Sequence, residues 1–93
     1  MIVAMGAISQ SGAIDYGYNI ASCTWDSIHC RYLIALSGIS YEHNRFVTII
    51  TPTFSAARGA DCGSTGGKLS VQIYDECGCE IQSSFSFMVL KVP

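Results

Sequence analysis

Apolar and polar residues alternate along much of this chain, and the period is two. In Ser84-Phe85-Ser86-Phe87-Met88-Val89, residues Phe85, Phe87 and Val89 fall on one side, Ser84 and Ser86 on the other. Successive side chains of a strand point to opposite faces, so this half predicts a strand with one buried face. The pattern then changes. Met88, Leu90 and Val92 are apolar too, and only Lys91 interrupts the run. A strand that turns apolar on both faces is covered on both faces. In a short chain, the second cover is expected from another subunit.

The same reading divides the rest of the chain. Strands are expected over Ile2–Ile8, residues 19–25, Arg31–Leu36, residues 46–51 and Lys68–Tyr74. Gly6 marks a bulge or a close backbone approach. Tyr32, Ile34 and Leu36 share one face, as do Leu69, Val71 and Ile73. Residues 46–51 are rich in β-branched side chains, and Pro52 stops that strand or places it at an edge. Residues 9–12 and 75–80 read as turns, with Gly78 suited to positive φ. Residues 13–18 read as a loop or short strand, and 39–45 as a polar loop. Residues 55–67 hold four glycines and little hydrophobicity, and read as a long mobile loop. No segment has apolar residues at helical spacing over three turns. About six strands with Gly-rich turns predict an all-β fold, a small antiparallel β-sandwich or jelly-roll in one domain, residues 1–93.

Composition sharpens the expectation of a partner. Hydrophobic residues make up 49% of the chain and charged residues 13%, about half the usual charged share of a soluble domain. A small domain has much surface and a marginal core. Such a composition implies apolar surface buried between subunits, or aggregation. The net charge is −2 with the five basic residues scattered, which gives nucleic acid no electrostatic footing. No apolar run approaches the ~18 residues of a membrane helix, so membrane insertion is not expected. The opening Met1-Ile2-Val3-Ala4-Met5-Gly6 has no basic leader of the secretory kind. That leaves a cytosolic chain, one whose signal was removed, or a piece of something longer.

Candidate chemistry is sparse. The cysteines are Cys23, Cys30, Cys62, Cys77 and Cys79. Their odd number leaves one unpaired unless it bridges two chains. A disulfide from Cys62 to Cys77 or Cys79 would tie the long loop to the last hairpin. Free thiols in a reducing compartment are the plainer reading. Cys77-Gly78-Cys79 does not fit the C-x₂₋₄-C spacing of zinc ligands, even with Cys62 or His29 to help, so no metal is assigned. Residues 63–68 faintly suggest a phosphate loop, but Lys68 precedes Leu69 and a strand, against the pattern. His29 and His43 have no nucleophile elbow to serve, and the acidic residues sit in turns. No cofactor and no enzymatic activity are expected. Binding falls to aromatic residues, which supply rigid amphipathic contact area. Tyr16, Tyr18 and Tyr41 lie in or beside loops, with His43 and Arg45 next to Tyr41. Trp25 and Tyr74 belong to the same group. The alternative for each aromatic is a place in the core or the subunit seam.

Two stretches together carry a resemblance. One is Arg31-Tyr32-Leu33-Ile34-Ala35-Leu36-Ser37-Gly38-Ile39-Ser40-Tyr41 followed by residues 46–52. The other is Gly67-Lys68-Leu69-Ser70-Val71-Gln72-Ile73-Tyr74-Asp75, a Gly-containing turn, then Ser84 to Val89. Their order resembles that of small β-domains at the C-termini of bacteriophage tail fibres and related bacterial proteins, and the opening through Ser22 fits. The resemblance implies a homotrimeric sandwich comparable to fibre-tip knobs and tumour-necrosis-factor-like heads. Such a module would be structural or receptor-binding, on a virion or extracellular surface after cytoplasmic synthesis. Its partners would be copies of itself and a cell-surface glycan or protein. It brings no catalytic motif, and five cysteines exceed what it leads one to expect. The subunits are expected to meet along Met88, Leu90 and Val92 and along Phe46, Thr48 and Ile50. The alternative is a stand-alone carbohydrate- or ligand-binding module using the loop tyrosines.

Overall fold

Every expected strand forms, and others join them. The computed structural model describes residues 1–91, so Val92 lies outside the described residues. The strands are β1 (Ile2–Ile8), β2 (Ile14–Tyr18), β3 (Ile20–Asp26), β4 (Arg31–Leu36), β5 (Phe46–Pro52), β6 (Gly59–Thr65), β7 (Lys68–Tyr74), β8 (Glu80–Ile81) and β9 (Phe85–Lys91). They build two antiparallel sheets. The first has the order β2-β1-β9-β5; the second has the order β3-β4-β7-β6, with β8 added to β7. The sheets pack face to face as a sandwich, as the alternation demands.

The core is the sum of the inward parities. The first sheet contributes Ala4, Ile8, Phe85, Phe87 and Val89; the second contributes Tyr32, Ile34, Leu36, Leu69, Val71 and Ile73. Tyr32 joins the layers. Its ring packs on Trp25 at 4.7 Å and edge-on to Phe85 at 5.1 Å between centroids. Its hydroxyl donates to the Gln10 carbonyl at 2.6 Å and accepts from the Ser83 amide at 2.9 Å. Ser83 is fully buried, so that amide has to find a protein partner.

One side of the sandwich closes at a single residue. Asn19 links β2 in the first sheet to β3 in the second with φ of 59°, a left-handed conformation that Asn tolerates. Its side-chain amide donates to the Val3 carbonyl at 3.0 Å, which fixes the corner. Ile20 then lies over Gly6 and Gly17, which pair across β1 and β2. A Cβ on Gly6 would stand 2.6 Å from Ile20 Cδ1 and 2.7 Å from the Tyr16 carbonyl oxygen. The close approach expected at Gly6 is therefore made by its own neighbours.

One expectation is corrected. Residues 55–67 are not one long mobile loop, because β6 occupies residues 59–65 and pairs with β7 over its whole length. Its sequence is poor in apolar residues because it is an edge strand, held mainly by the backbone ladder and a tight turn at Gly66 and Gly67, both with positive φ. In β3, the register shifts between Ile20 and Ser22. The bulge brings Ile20 to the same side as Cys23 and Trp25, all packed against the core, where strict alternation would have opposed them.

Tyr32→Phe keeps the ring contacts but strips the Ser83 amide and Gln10 carbonyl of their partner. It is expected to cost about 1–3 kcal/mol in urea unfolding. An unchanged midpoint would show that water replaces the hydroxyl.

Candidate functional site

The two outer faces of the sandwich differ in kind. On the second sheet, outward positions include Thr24, Asp26, Arg31, Asp61, Thr65, Lys68, Ser70 and Gln72. They bond among themselves: Arg31 Nε donates to Asp26 Oδ2 at 3.2 Å and Arg31 Nη1 to Thr65 Oγ1 at 3.2 Å. On the first sheet, the register sets outward residues in three rows. Ile2, Leu90 and Val47 form one; Tyr18, Met5, Met88 and Ile49 the next; Tyr16, Ala7, Ser86 and Thr51 the third. None of these residues is charged. Tyr16 is 56% exposed, Tyr18 52%, and Val47 and Ile49 50% each. No strand among the described residues lies over this face. The small side chains of the third row leave a hollow of about 240 Å³, bordered by Met5, Tyr16, Ile49 and Met88.

The residues expected at a subunit seam fall on opposite sides of the first sheet. Met88 and Leu90 do point outward from β9 and are only half-buried. Phe46, Thr48 and Ile50 point the other way. Phe46 and Ile50 pack against the core, and Thr48 Oγ1 bonds the Tyr41 hydroxyl at 2.6 Å. The outward residues of β5 are Val47, Ile49 and Thr51. Every position in residues 46–50 is apolar or β-branched, so parity could not be read from β5 alone.

The expected binding residues separate. Tyr16 and Tyr18 stand on the apolar face. Tyr41 is 1% exposed, which corrects its placement as an exposed loop residue. It stacks on Phe46 at 5.5 Å, and its amide donates to the Gly67 carbonyl at 2.8 Å. Burial raises its hydroxyl pKa, against the lowering effect of the bond to Thr48. It anchors the loop that displays His43 and Arg45. His43 Nδ1 lies 2.9 Å from Ser64 Oγ, and Arg45 Nε 2.8 Å from Glu42 Oε2. Trp25 belongs to the core margin, and the Tyr74 hydroxyl donates to Gln72 Oε1 at 3.2 Å.

The cysteines are spread out, and all five are free. Cys62 is level with Val71 on the inward parity of β6, beside the Tyr41 hydroxyl. Cys77 and Cys79 hang from a turn beyond the end of β7, where both amides donate to Asp75 Oδ1 at 2.9 and 3.0 Å. The β6–β7 register thus separates Cys62 from them, which corrects the proposed disulfide. Burial pushes the Cys23 thiol up to about 11 and raises that of Cys62. At the β3–β4 turn, burial works to raise the Asp26 carboxyl pKa. Bonds from the His29 and Arg31 side chains and the His29 and Ile28 amides outweigh that effect and hold it below its ordinary value. This is the wiring of a hairpin turn. No group of three His, Cys, Asp or Glu residues able to hold a metal occurs among the described residues. No known protein family, curated protein or solved structure matches the chain.

Alkylation of the native protein near neutral pH is expected to modify Cys77 and Cys79 first and Cys23 last. All five thiols should react in denaturant without reductant. Equal rates for Cys23 and Cys77 would contradict the burial. Folded Cys23 keeps a proton that the unfolded chain loses above its ordinary value of 9.0. Stability should therefore fall as pH rises from about 9 through about 11, and Cys23→Ala should make that decline shallower in urea titrations.

Proposed function

We propose that this chain is a non-enzymatic structural or receptor-binding module of a phage tail-fibre-like or surface assembly, acting as a homotrimer. The observation that carries the reading is the uncharged, largely apolar outer face of the first sheet, set against a polar outer face on the second. An antiparallel sandwich that meets water on both sides alternates apolar-in and polar-out on both sheets. Here the second sheet comes close, with Leu33 and Ala35 the apolar outward residues of β4, and the first sheet departs from it much further. Contiguous apolar surface of this kind marks an interaction site, and closed cyclic symmetry is the usual form of soluble homo-oligomers.

The loop over residues 42–45 then becomes the displayed surface. Its Glu42, His43, Asn44 and Arg45 are exposed, and buried Tyr41 fixes its base. Polar side chains of mixed charge on a pinned loop suit contact with a cell-surface glycan or protein. The alternative sugar-binding reading loses Tyr41, which is inside, and shares Tyr16 and Tyr18 with the apolar face.

Sedimentation equilibrium at low micromolar concentration should give three times the 10.0 kDa chain mass. A stable monomer under those conditions would overturn the reading.

A further inference from the structure

We infer that Cys77 and Cys79 are a dithiol pair that exchanges with small disulfides, and that the pair favours a disulfide carrying positive charge. The inference goes beyond the assembly reading and does not rest on it. Among the five free thiols, these two share one turn. Both residues are exposed, and Gly78 stands between them with φ of 79°. A Cβ on Gly78 would meet nothing within 4 Å, so that side of the turn is open to a reagent. The backbone draws the pair together. The Cys77 and Cys79 amides converge on one oxygen, Asp75 Oδ1, at 2.9 and 3.0 Å. The Asp75 amide donates to the Cys79 carbonyl at 3.0 Å, and the Gly78 amide to the Asp75 carbonyl at 3.1 Å. Residues two apart are close in any chain, and a turn closed on itself in this way folds them toward the spacing that a disulfide bridges.

A hollow of about 310 Å³ opens beside this turn, lined by Ala56, Arg58, Asp75, Glu76 and Cys77. Arg58 is fixed there: its amide donates to the Tyr74 carbonyl at 2.7 Å, and its Nη1 to the Ser55 and Ala57 carbonyls at 2.6 and 2.9 Å. The hollow seats a small disulfide against Cys77. Cys79 does not line it, which gives the first attack to Cys77 and the second to Cys79. The Cys77 thiolate attacks one sulfur of the disulfide, bonds to it, and releases the other half as a thiolate. The Cys79 thiolate then attacks Cys77 Sγ, closes the Cys77–Cys79 bond and expels the second half. The dithiol gives up two electrons and two protons, and the reagent takes them up as two thiols. A ring closed across a single residue departs from relaxed disulfide geometry, so the bridge is easily reduced again. Charge selects the reagent. Asp75, Glu76 and Glu80 flank the pair in the chain, against Arg58 as the one cation lining the hollow. That field attracts a cationic disulfide and repels an anionic one, most strongly at low salt.

The test treats the whole reduced chain with cystamine, a dication, and separately with oxidised glutathione, an anion, at equal concentration and low ionic strength. Remaining thiols are then blocked with iodoacetamide. Trypsin leaves both cysteines in the one peptide that follows Lys68 and ends at Lys91, so mass spectrometry reads the product. The bridge lowers that peptide by two hydrogen masses, a stalled adduct raises it, and a bond to any other cysteine attaches a second peptide. The bridged peptide should form at least about threefold faster with cystamine, and salt at about 1 M should remove the difference. Dithiothreitol should restore the dithiol. Cys79→Ser should stop at a cystamine adduct on Cys77, and Cys77→Ser should slow the first reaction several-fold. Circular dichroism confirms the fold of both variants. A parent chain that stalls at the adduct, or that links Cys77 or Cys79 to Cys62 or to another copy, would overturn the exchanging pair. Equal rates with the two reagents at low salt would overturn the preference for a cationic disulfide. A first reaction as fast in Cys77→Ser as in the parent would overturn the order of attack.

Discussion

Strand β9 is paired along both edges, with β1 on one side and β5 on the other. Its backbone is therefore satisfied, and only its two faces remain to be covered. The inward face is met by the second sheet: Phe85 touches Tyr32 edge-on, Phe87 follows, and Val89 is fully buried. The outward face, Ser86, Met88 and Leu90, is flanked by its neighbours in the sheet and left half-buried, with no second layer over it among the described residues. The fold solves half of the strand's requirement and leaves the other half open.

The neighbours of β9 extend the same imbalance. Met5 and Ala7 lie beside it on one flank, Val47, Ile49 and Thr51 on the other, and the tyrosines of β2 complete the rows. Most charges lie elsewhere, on the second sheet, in the turns and in residues 42–45, while Asp15 and Lys91 sit at the ends of first-sheet strands outside these paired rows. Local wiring consumes many of them: Asp26 with His29 and Arg31, Glu42 with Arg45, Glu80 with Gln72. A low charge content so distributed leaves the paired outward rows of this face with hydroxyl groups as their only side-chain polar groups. That placement differs from scattered surface apolar residues, which are ordinary.

Much of this was legible in the sequence where alternation was clean. β1, β4 and β7 have the bounds that periodicity suggests, and the inward residues of β4 and β7 are those its parity selects. β6 was illegible because its pairing rests on backbone hydrogen bonds, which the sequence Gly-Ala-Asp-Cys-Gly-Ser-Thr does not advertise. The direction of β5 was illegible because valine, threonine and isoleucine fill both parities. Tyr41 looked like a loop residue, and it is one by position. Its burial comes from a stack with Phe46 and a bond to Thr48, contacts that exist only once β5 folds back beneath it. The outer face as a unit needs the register of four strands distant in sequence, so no local pattern reveals it.

The central claim is that the outer face of the first sheet is covered by other copies of the chain. Solvent paramagnetic relaxation of methyl groups tests it most directly, with Met5, Met88 and Ile49 as probes and Ile28, 85% exposed at a turn, as the reference. The account predicts that the three probes are shielded at concentrations where the protein assembles and become accessible on dilution, while Ile28 relaxes throughout. Met5, Met88 and Ile49 methyls as accessible as that of Ile28 at every concentration would contradict it.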